Sequence, residues 1–514
     1  MPSISTNNKR IAQNTLMLYI RMGVSMLVSL YTSRIVLNTL GVEDYGIYSV
    51  VAGVISMFTF LNGALSGATS RFITFELGKK NFIQLNKTFS AAFINHIILA
   101  LIILFFAETI GLWFLYNKLV IPENRLIAAF WVYQCSIITT ILGIIQVPFG
   151  SLIMAHERMG VYAYLSIFDV VLKLVLVLSL SLVPTDKLIF WAFCGVFVTI
   201  LYNSFNYIYC YKHFKESHIS IHKEIPLYKK LFIYSFWDFL GSMSSLAQGQ
   251  GLNMMLNIFF GPTINAARGI AMTIQGAVVQ FSSNFTIASK PQIIKLYADN
   301  NIKEMLELVY NSSKLSFFLL YLFALPLCLE IKYVLNLWLG EYPDYTIIFT
   351  ILILINSLTW SIKTYRTTMI HATGHIKLSN LTVGVILCST LPISYIFLTN
   401  GFSAISVFII TIVITLLAEL VACFVLKRYL DYSIKDYLFN VYGKCFLISI
   451  LSFIVPYIVH LSINESFFRL CMVSLTSIIS VGFFAYKLGL DHSTRKKIIS
   501  FIKEKINRKK IPTT

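Results

Sequence analysis

The chain has 514 residues, of which 57% are hydrophobic and only 12% are charged. A typical soluble domain is about 45–50% apolar and about 25% charged, so this composition excludes a soluble enzyme, a nucleic-acid-binding module and a receptor with a folded ectodomain. The formal net charge of +18 therefore needs a membrane explanation before a nucleic-acid one.

Long apolar stretches follow one another along the whole chain, and each is long enough to cross a bilayer as a helix. They lie at residues 13–35, 44–70, 89–115, 124–149, 160–183, 188–210, 232–258, 264–288, 312–338, 345–370, 379–399, 402–426, 444–462 and 467–488. Several stretches contain proline, where we expect kinks because neighbouring groups can satisfy the freed carbonyls. The sequence predicts an all-α polytopic membrane protein with fourteen transmembrane helices.

Lysine and arginine are distributed unevenly between the two sides of this predicted topology. The side that holds both termini collects 32 of them and the opposite side collects 7. By the positive-inside rule, both termini are expected to be cytoplasmic. Most of the net positive charge is thus a topology signal, and the basic tail is also expected to contact anionic lipid head groups.

An internal repeat relates the first part of the chain to its middle. The segment that begins at Gly41 aligns without a gap with the segment that begins at Gly261, an offset of 220 residues, and Asn81 aligns with Asn301. Spans one and two are therefore expected to recur as spans seven and eight. Because an even number of spans separates the copies, the halves should have the same orientation, with a cavity between two bundles.

The four repeated spans each carry polar residues on one helical face. A polar face is costly against lipid, so it should point to neighbouring helices or to a water-filled interior. The alternative is that hydroxyl and amide groups only bond the helices together, as they commonly do in membrane bundles. The faces contain Asn14, Arg21, Ser25 and Thr32 in span one, Asn62, Ser66, Thr69 and Glu76 in span two, Asp238, Ser242, Ser245, Gln248 and Asn253 in span seven, and Arg268, Gln275 and Ser282 in span eight.

Charged residues within these spans are candidates for function. Arg21 lies well inside span one, where a permanent cation costs at least about 2.5–3.5 kcal/mol, and Arg268 is a second candidate. Arg34 and Arg71 lie at span ends, where a snorkelling arginine is a simpler explanation. All four are candidate substrate-binding residues.

Acidic residues within the spans divide into a paired and an unpaired group. Asp169 and Lys173 have i,i+4 spacing on span five, so they are expected to form a structural ion pair. Asp238 and Glu419 have no obvious partner in their own spans, which makes each a candidate for proton or sodium coupling. Glu419 is also close enough to Lys427 to lie near the membrane interface.

The segment SRIVLNTLGVEDYGIYSVVAGVISMFTFLNGALSGATSRFITFELGKKN resembles the first hairpin of the bacterial polysaccharide flippases. The matching positions of that family's motif are Arg34, Leu40, Gly41, Tyr45, Gly46, Arg71 and Phe72. The resemblance in span number, loop length and repeat extends over nearly the whole chain. That family carries O-antigen or capsule repeat units and belongs to the multidrug/oligosaccharidyl-lipid/polysaccharide (MOP) exporter superfamily, with the lipid II flippases and the multidrug and toxic-compound extruders (MATE).

The resemblance implies two pseudo-symmetric six-helix lobes with two further C-terminal helices, in the bacterial cytoplasmic (inner) membrane. The expected domains are an N-terminal lobe at 1–210, a cytoplasmic linker at 211–231, a C-terminal lobe at 232–426, spans thirteen and fourteen at 427–488, and a basic tail at 489–514. It also implies that the two lobes form a V, and that spans one, two, seven and eight line the cavity between them.

The implied activity is the flipping of a polyprenyl-pyrophosphate-linked oligosaccharide to the periplasmic leaflet by alternating access. Arg21 and Arg268 would clamp the pyrophosphate, because a guanidinium fork suits phosphate geometry. Asn14, Asn62, Gln248, Asn253 and Gln275 would contact the sugar hydroxyls. Expected partners are the lipid-linked glycan, membrane lipids, a polysaccharide polymerase and glycosyltransferases, with no nucleic acid and no cofactor or metal, and the expected state is a monomer.

Two other functions remain open from the sequence. A cation-coupled extruder of small amphipathic molecules would use Asp238 or Glu419 as its exchangeable carboxylate, although a basic cavity argues against cationic drugs. A membrane-embedded polysaccharide polymerase or ligase would be expected to have a large external loop, and the external loops here are short. No phosphate-binding glycine loop or metal-spaced His/Cys cluster indicates an enzyme.

Overall fold

A computed structural model of the protein describes residues 4–117, 121–180, 186–220 and 225–489. Within these ranges the chain is helical, without a β-strand. The helices in chain order are α1 (Ile4–Gly78), α2 (Phe82–Asn117), α3 (Glu123–Ala155), α4 (Met159–Ser179), α5 (Lys187–His213), α6 (Ile225–Phe260), α7 (Pro262–Ala298), α8 (Ile302–Leu339), α9 (Thr346–Thr373), α10 (Ile376–Thr399), α11 (Ile405–Lys427), α12 (Ile434–Ser462) and α13 (Phe467–Gly489). The predicted basic tail lies outside the described residues.

Ten of the described helices are long and apolar enough to cross a membrane, namely α2 to α5 and α8 to α13. They coincide with predicted spans three to six and nine to fourteen. The other four predicted spans lie in α1, α6 and α7, which are long enough to cross a bilayer and carry the predicted polar faces. The protein is therefore a polytopic all-α membrane protein, as its composition predicts.

The first half of α1 lies alongside α4. Arg21 contacts Tyr162 near the beginning of α4, and Val36 packs against Val177 near its end. These pairs are separated by the same number of residues in both helices. The two segments therefore run in the same direction.

The second half of α1 runs the opposite way. Asp44 forms an ion pair with Arg125 at the beginning of α3, and Ile73 packs in one cluster with Ile153 near the end of α3. Since α4 follows α3 after a short connection, Ile73 and Arg21 lie at the same end of the bundle. The chain therefore doubles back between Val36 and Asp44, whereas a straight helix of this length would extend about 112 Å. The reversal predicted from the first-hairpin motif is present, although it lies within a continuous helical element.

The second copy of this hairpin has a distinct break. α6 ends at Phe260, Gly261 has φ +79° and ψ −178°, and Pro262 begins α7. A backbone with this combination of angles is essentially restricted to glycine, and proline is favoured at the first helical position because its missing N–H has no partner there anyway.

The end of each hairpin confirms the repeat in backbone geometry. α1 ends at Gly78 and α7 at Ala298, and the next residue with positive φ is Lys80 in the first copy and Asn300 in the second. The side chain of Asn81 accepts a hydrogen bond from the backbone N–H of the third residue after it at 3.1 Å, and Asn301 does the same at 3.4 Å. All these positions keep the offset of 220 residues found in the sequence.

The chain divides into two compact units. Among the described residues, the N-terminal unit is Gln13–Phe239, and the C-terminal unit combines residues 240–489 with residues 4–12. Each has its own apolar clusters, for example around Tyr133 in the first and around Phe349 in the second. The finer domain boundaries predicted from the sequence remain a prediction.

A buried carboxylate marks a bend in α8 of the C-terminal unit. Pro326 lies inside α8, and one turn later Glu330 has non-helical angles, φ −108° and ψ 15°. Arg469 of α13 donates two hydrogen bonds to Glu330 Oε2 at 3.1 and 2.9 Å, and His460 Nδ1 of α12 lies 2.7 Å from Oε1. The last two helices are thus tied to α8 through one fully buried acid. The kink predicted at Pro326 is present.

The α6–α7 turn generates a stability prediction. Gly261→Ala should lower the free energy of unfolding by about 1–3 kcal/mol, because alanine must adopt a glycine-only backbone conformation. Gly269→Ala is the matched control: this glycine lies inside α7, where an added Cβ meets no atom within 4 Å, so alanine should be neutral or stabilising. Thermal unfolding of the two purified variants in detergent measures the difference, and equal melting temperatures would contradict the assignment of strain to Gly261.

Candidate functional site

Arg21 is held by an aromatic neighbour in the N-terminal unit. Its Nη1 donates a hydrogen bond of 3.3 Å to the Tyr162 hydroxyl, and its guanidinium carbon lies 5.2 Å from the centroid of the Tyr162 ring. A cation over an aromatic face is stabilised by the ring quadrupole, more so when it is desolvated. Tyr162 thus accommodates the charge that the sequence places inside span one.

Arg71 is buried in a cluster of aromatic rings, not exposed at a span end. Its guanidinium carbon lies 4.5 Å from the Phe72 centroid, 4.6 Å from Phe75 and 5.7 Å from Tyr234 of α6. The expectation that Arg71 simply snorkels to the membrane surface is therefore wrong, because its side chain is only 5% exposed. The side chain of Arg34 lies outside the described residues.

Asp238 lies one turn beyond Tyr234 on α6 and packs closely against α1. A Cβ added to Gly67 would lie 2.8 Å from Asp238 Oδ2, so any larger residue would force the carboxylate to shift. Both Asp238 and Arg71 are close enough to Tyr234 to influence it electrostatically. An acidic and a basic candidate from the sequence therefore belong to one local cluster in the N-terminal unit.

The polar candidates of α1 differ in their environments. Asn14 is buried, and its amide nitrogen has no hydrogen-bond partner among the described residues. Asn62 instead interacts within its own helix, where its backbone carbonyl accepts a 2.7 Å hydrogen bond from Ser66 and its Oδ1 a longer one of 3.3 Å. Asn62 thus fits the alternative in which polar groups satisfy one another within a bundle.

Arg268 of α7 binds the facing turn of α6 in the C-terminal unit. Its Nη1 donates to Asn253 Oδ1 at 2.9 Å, and its Nη2 donates to the Gly249 carbonyl at 3.0 Å. Asn265 donates to the backbone oxygen of Asn253 at 2.8 Å and to its Oδ1 at 2.9 Å, which fixes the amide that Arg268 uses. Arg268 is half-buried and forms no ion pair with any described carboxylate.

The two glutamine candidates bond to other helices of the C-terminal unit. Gln248 of α6 donates to the Thr390 hydroxyl at 2.8 Å, and Gln275 of α7 donates to the Ser357 hydroxyl at 2.7 Å. In both cases the amide nitrogen is engaged and these bonds leave the amide oxygen as an acceptor.

The predicted pair on α4 is present, since Lys173 Nζ donates to Asp169 Oδ2 at 2.8 Å. Glu419 also proves to be paired, through a partner that sequence reasoning missed. Arg366 of α9 donates to its Oε2 at 3.2 Å and to its Oε1 at 2.8 Å, and Tyr442 adds a bond of 3.4 Å. Glu419 is therefore not the lone carboxylate expected of a coupling site.

Arg366 lies near the end of predicted span ten, where its charge counted only toward the topology. In the structure both Arg366 and Glu419 are almost fully buried, at 2% and 3% exposure. A bidentate pair of this kind, hidden from solvent on α9 and α11, fits a structural role. The assignment of Asp238 to ion coupling remains a prediction.

Known structures share this fold. No protein-family model matches the sequence, and no curated protein sequence matches it. Among solved structures, the chain is similar to a mutant of a MATE transporter (TM-score 0.71, 14% identity, 82% of this chain and 96% of that one) and to a multidrug resistance MATE family transporter of the MOP superfamily (TM-score 0.69, 14% identity, 83% and 97%). It is also similar to a MOP superfamily transporter from Pyrococcus furiosus (TM-score 0.65, 15% identity, 82% and 95%). The protein thus has the fold of the MATE transporters.

The Arg366–Glu419 geometry predicts a purely structural effect of mutation. Glu419→Gln or Arg366→Met alone should lower the free energy of unfolding by about 3–5 kcal/mol, because each leaves an unpaired buried charge. The double variant Arg366→Met/Glu419→Leu should recover most of this loss, since no charge remains. Thermal unfolding in detergent and protein abundance in membranes measure both effects. If Glu419→Gln kept full stability but lost transport, Glu419 would be a coupling residue after all.

Proposed function

We propose that this protein is a MOP superfamily transporter that flips a polyprenyl-pyrophosphate-linked oligosaccharide across the bacterial inner membrane by alternating access. The shared fold supports the transporter class, and the resemblance of the first hairpin to polysaccharide flippases supports this substrate. In this proposal both termini are cytoplasmic and the oligosaccharide moves to the periplasmic leaflet for surface polysaccharide synthesis.

The proposed substrate class, an anion, rests on the environment of Arg268. Its hydrogen-bond partners are an amide oxygen and a backbone carbonyl, neither of which neutralises a positive charge. By contrast, Arg366 is paired with Glu419 and Arg469 with Glu330. A cation held in place by neutral groups can bind an anion without first breaking an ion pair.

The energy available to such a cation is sufficient for phosphate binding. At an effective dielectric of about 20, a guanidinium about 4 Å from a phosphate oxygen contributes about 4 kcal/mol before desolvation. Two guanidinium N–H groups of Arg268 bond to Asn253 and Gly249, which leaves other N–H groups of the same fork for phosphate oxygens. A bare pyrophosphate would face a far larger cost in hydrocarbon.

The N-terminal unit supplies the second proposed phosphate ligand, Arg21. Its bond to Tyr162 is one neutral contact that orients the guanidinium. The proposed sugar contacts are amide groups, which match hydroxyls as both donors and acceptors. They are Asn14, Asn62, Gln248, Asn253 and Gln275.

A second candidate function is cation-coupled efflux. One of the similar structures is a multidrug resistance MATE family transporter, and Asp238 is a carboxylate inside a predicted span, packed against Gly67. Asp238 would then exchange a proton or a sodium ion. The similar Pyrococcus furiosus transporter is described as having a binding pocket of reverse polarity that suggests a different function, so this fold does not by itself select a drug.

The flippase proposal predicts a loss of export on removal of charge. Arg268→Ala and Arg21→Ala should each lower surface glycan per molecule of membrane protein at least tenfold, and Arg268→Lys should retain part of the activity because charge survives without the fork. The matched control is Arg158→Ala, which removes an exposed arginine between α3 and α4. Surface glycan and membrane protein level are measured in the same cells.

Two outcomes would count against the flippase. Arg268→Ala with full export per molecule would exclude the anion-binding role of Arg268. Unchanged glycan in every arginine variant, together with altered dye efflux in Asp238→Asn, would favour the cation-coupled extruder.

A further inference from the structure

A polar strip runs along α9 of the C-terminal unit, outside the four repeated spans. Its members recur at the i, i+4, i+7, i+8 and i+11 positions, which share one face of a helix. They are Asn356, Trp360, Lys363, Thr364 and Thr367. None of them belongs to the groups assigned to glycan binding.

This strip lies on the side of α9 that is opposite α8. Ser357 of α9 contacts α7, Leu354 packs in a cluster with α8, and Arg366 contacts α11. At about 100° of rotation per residue, these three contacts take up one half of the circumference of α9. The polar strip occupies the other half, between α11 and α7.

Five helices of the C-terminal unit contact one another in a closed cycle. α7 bonds to α6 through Arg268 and to α9 through Gln275. α6 bonds to α10 through Gln248, and α10 packs against α11 in an apolar cluster. The pair of Glu419 and Arg366 completes the cycle to α9. Because α8 packs on the opposite side of α9, the polar strip faces the inside of this cycle.

Lys363 is the charged member of the strip, and its side chain is only 6% exposed. Its Nζ lies 4.0 Å from the centroid of the Trp360 ring, and it forms no hydrogen bond or ion pair with any described residue. Glu419 is near enough to attract Lys363, and Arg366 is near enough to repel it. Since Arg366 already holds Glu419 by two bonds, one acid stands against two cations here. The interior of the cycle therefore carries an excess of positive charge beside Lys363.

Other members of the strip show that this face is accessible and polar. Trp360, which carries the Lys363 cation, is 37% exposed. Asn356 Oδ1 is buried and has no hydrogen-bond partner among the described residues. A buried polar group without a partner is costly, so a strip that combines one with a cation is suited to a polar, anionic ligand.

α7 and α9 run in the same direction. Gln275 of α7 donates to the Ser357 hydroxyl of α9 at 2.7 Å. Farther along both helices, the Ser289 hydroxyl of α7 lies 3.0 Å from the Tyr365 hydroxyl of α9. Positions on the two helices can therefore be compared along one common axis.

Arg268 and Lys363 lie at different levels along that axis. Arg268 is nearly two turns before Gln275, and Lys363 is nearly two turns after Ser357. At about 5.4 Å per turn, the two cations are about 20 Å apart along the bundle, whereas the hydrocarbon core is about 30 Å thick. One cation is thus near each end of the membrane-spanning part of the C-terminal unit.

We propose that Lys363 is the inner of two phosphate-binding positions in the C-terminal unit, with Arg268 as the outer one. This inference rests on the proposed flippase function and its topology, in which the end of α9 that holds Lys363 is cytoplasmic. The pyrophosphate contacts Lys363 when it enters from the cytoplasmic leaflet and Arg268 before it leaves on the other side. A cation is then available at both levels, so the head group does not cross hydrocarbon with its charge uncompensated.

The first test separates binding from folding. Lys363→Gln should lower surface glycan per molecule of membrane protein about tenfold, because one cation near the phosphate is lost. Its melting temperature in detergent should be unchanged or higher, since a buried charge without an ion-pair partner is removed. Lys363→Arg should retain part of the export. The matched control is Lys427→Gln, which removes an exposed lysine at the end of α11 and should leave export unchanged.

The second test locates the two positions with radiolabelled polyprenyl pyrophosphate and purified protein in nanodiscs. A photoreactive residue replaces Thr364, next to Lys363, or Met272, an exposed residue one turn after Arg268. Lys363→Gln should lower cross-linking at Thr364 about tenfold, and Arg268→Ala should leave it unchanged. Arg268→Ala should lower cross-linking at Met272.

Three results would overturn the inner position. A lower melting temperature of Lys363→Gln with normal export per molecule would make Lys363 a structural residue. Equal loss of cross-linking at both positions in each variant would indicate one site and not two. Full export in Lys363→Gln with lost export in Arg268→Ala would remove the inner position and leave the flippase proposal standing, whereas full export in both variants would contradict the flippase proposal itself.

Discussion

An ionised side chain in hydrocarbon is costly unless another group compensates its charge or orders water around it. In this protein the described helices meet that cost mainly by pairing across long distances in the sequence. Arg366 bonds to Glu419, Arg469 and His460 bond to Glu330, and the α8 kink brings that acid to the last two helices. These pairs link α9 to α11 and α8 to the last two helices.

The same cost makes the surroundings of three other arginines informative about function. Arg71 is surrounded by aromatic rings, and Arg21 contacts a tyrosine. Arg268 is held by an amide and a backbone carbonyl, with Asn265 fixing that amide. A membrane protein that stabilised only its own fold would be expected to place a carboxylate beside Arg268, as it does beside Arg366. A neutral environment leaves the charge of Arg268 available, which is the physical basis for the proposal of an anionic substrate.

The sequence predicted the features that depend on local pattern. Span positions follow from apolar length, the Lys173–Asp169 pair follows from i,i+4 spacing, and the repeat follows from an ungapped alignment that the Asn81 and Asn301 caps confirm. Features that depend on tertiary contact were not predictable. Arg366, the partner of Glu419, is 53 residues away from it in the sequence. Nothing in the sequence distinguishes Arg366 from other basic residues at the end of span ten.

Two other outcomes show where local pattern fails. The reversal in α1 contains the sequence Leu40–Gly41, yet helical backbone continues through it, whereas the equivalent Gly261 breaks the second copy. The difference is consistent with the proline that follows Gly261, which cannot donate the hydrogen bond needed to continue a helix. Position alone puts Arg71 at a span end. Its burial depends on Tyr234 of α6, a tertiary contact that local sequence pattern does not indicate.

The most direct test uses a mutation that gives Arg268 a counter-ion, since no described carboxylate pairs with it. Asn253→Asp replaces the amide oxygen 2.9 Å from Nη1 by a carboxylate oxygen of nearly the same size. If Arg268 binds an anionic substrate, this variant should be at least as stable as the wild type in thermal unfolding, because a buried charge gains a partner, while glycan export per molecule should fall at least tenfold. Wild-type export at unchanged or raised stability would contradict the account, because Arg268 would then be a structural residue whose charge the substrate does not use.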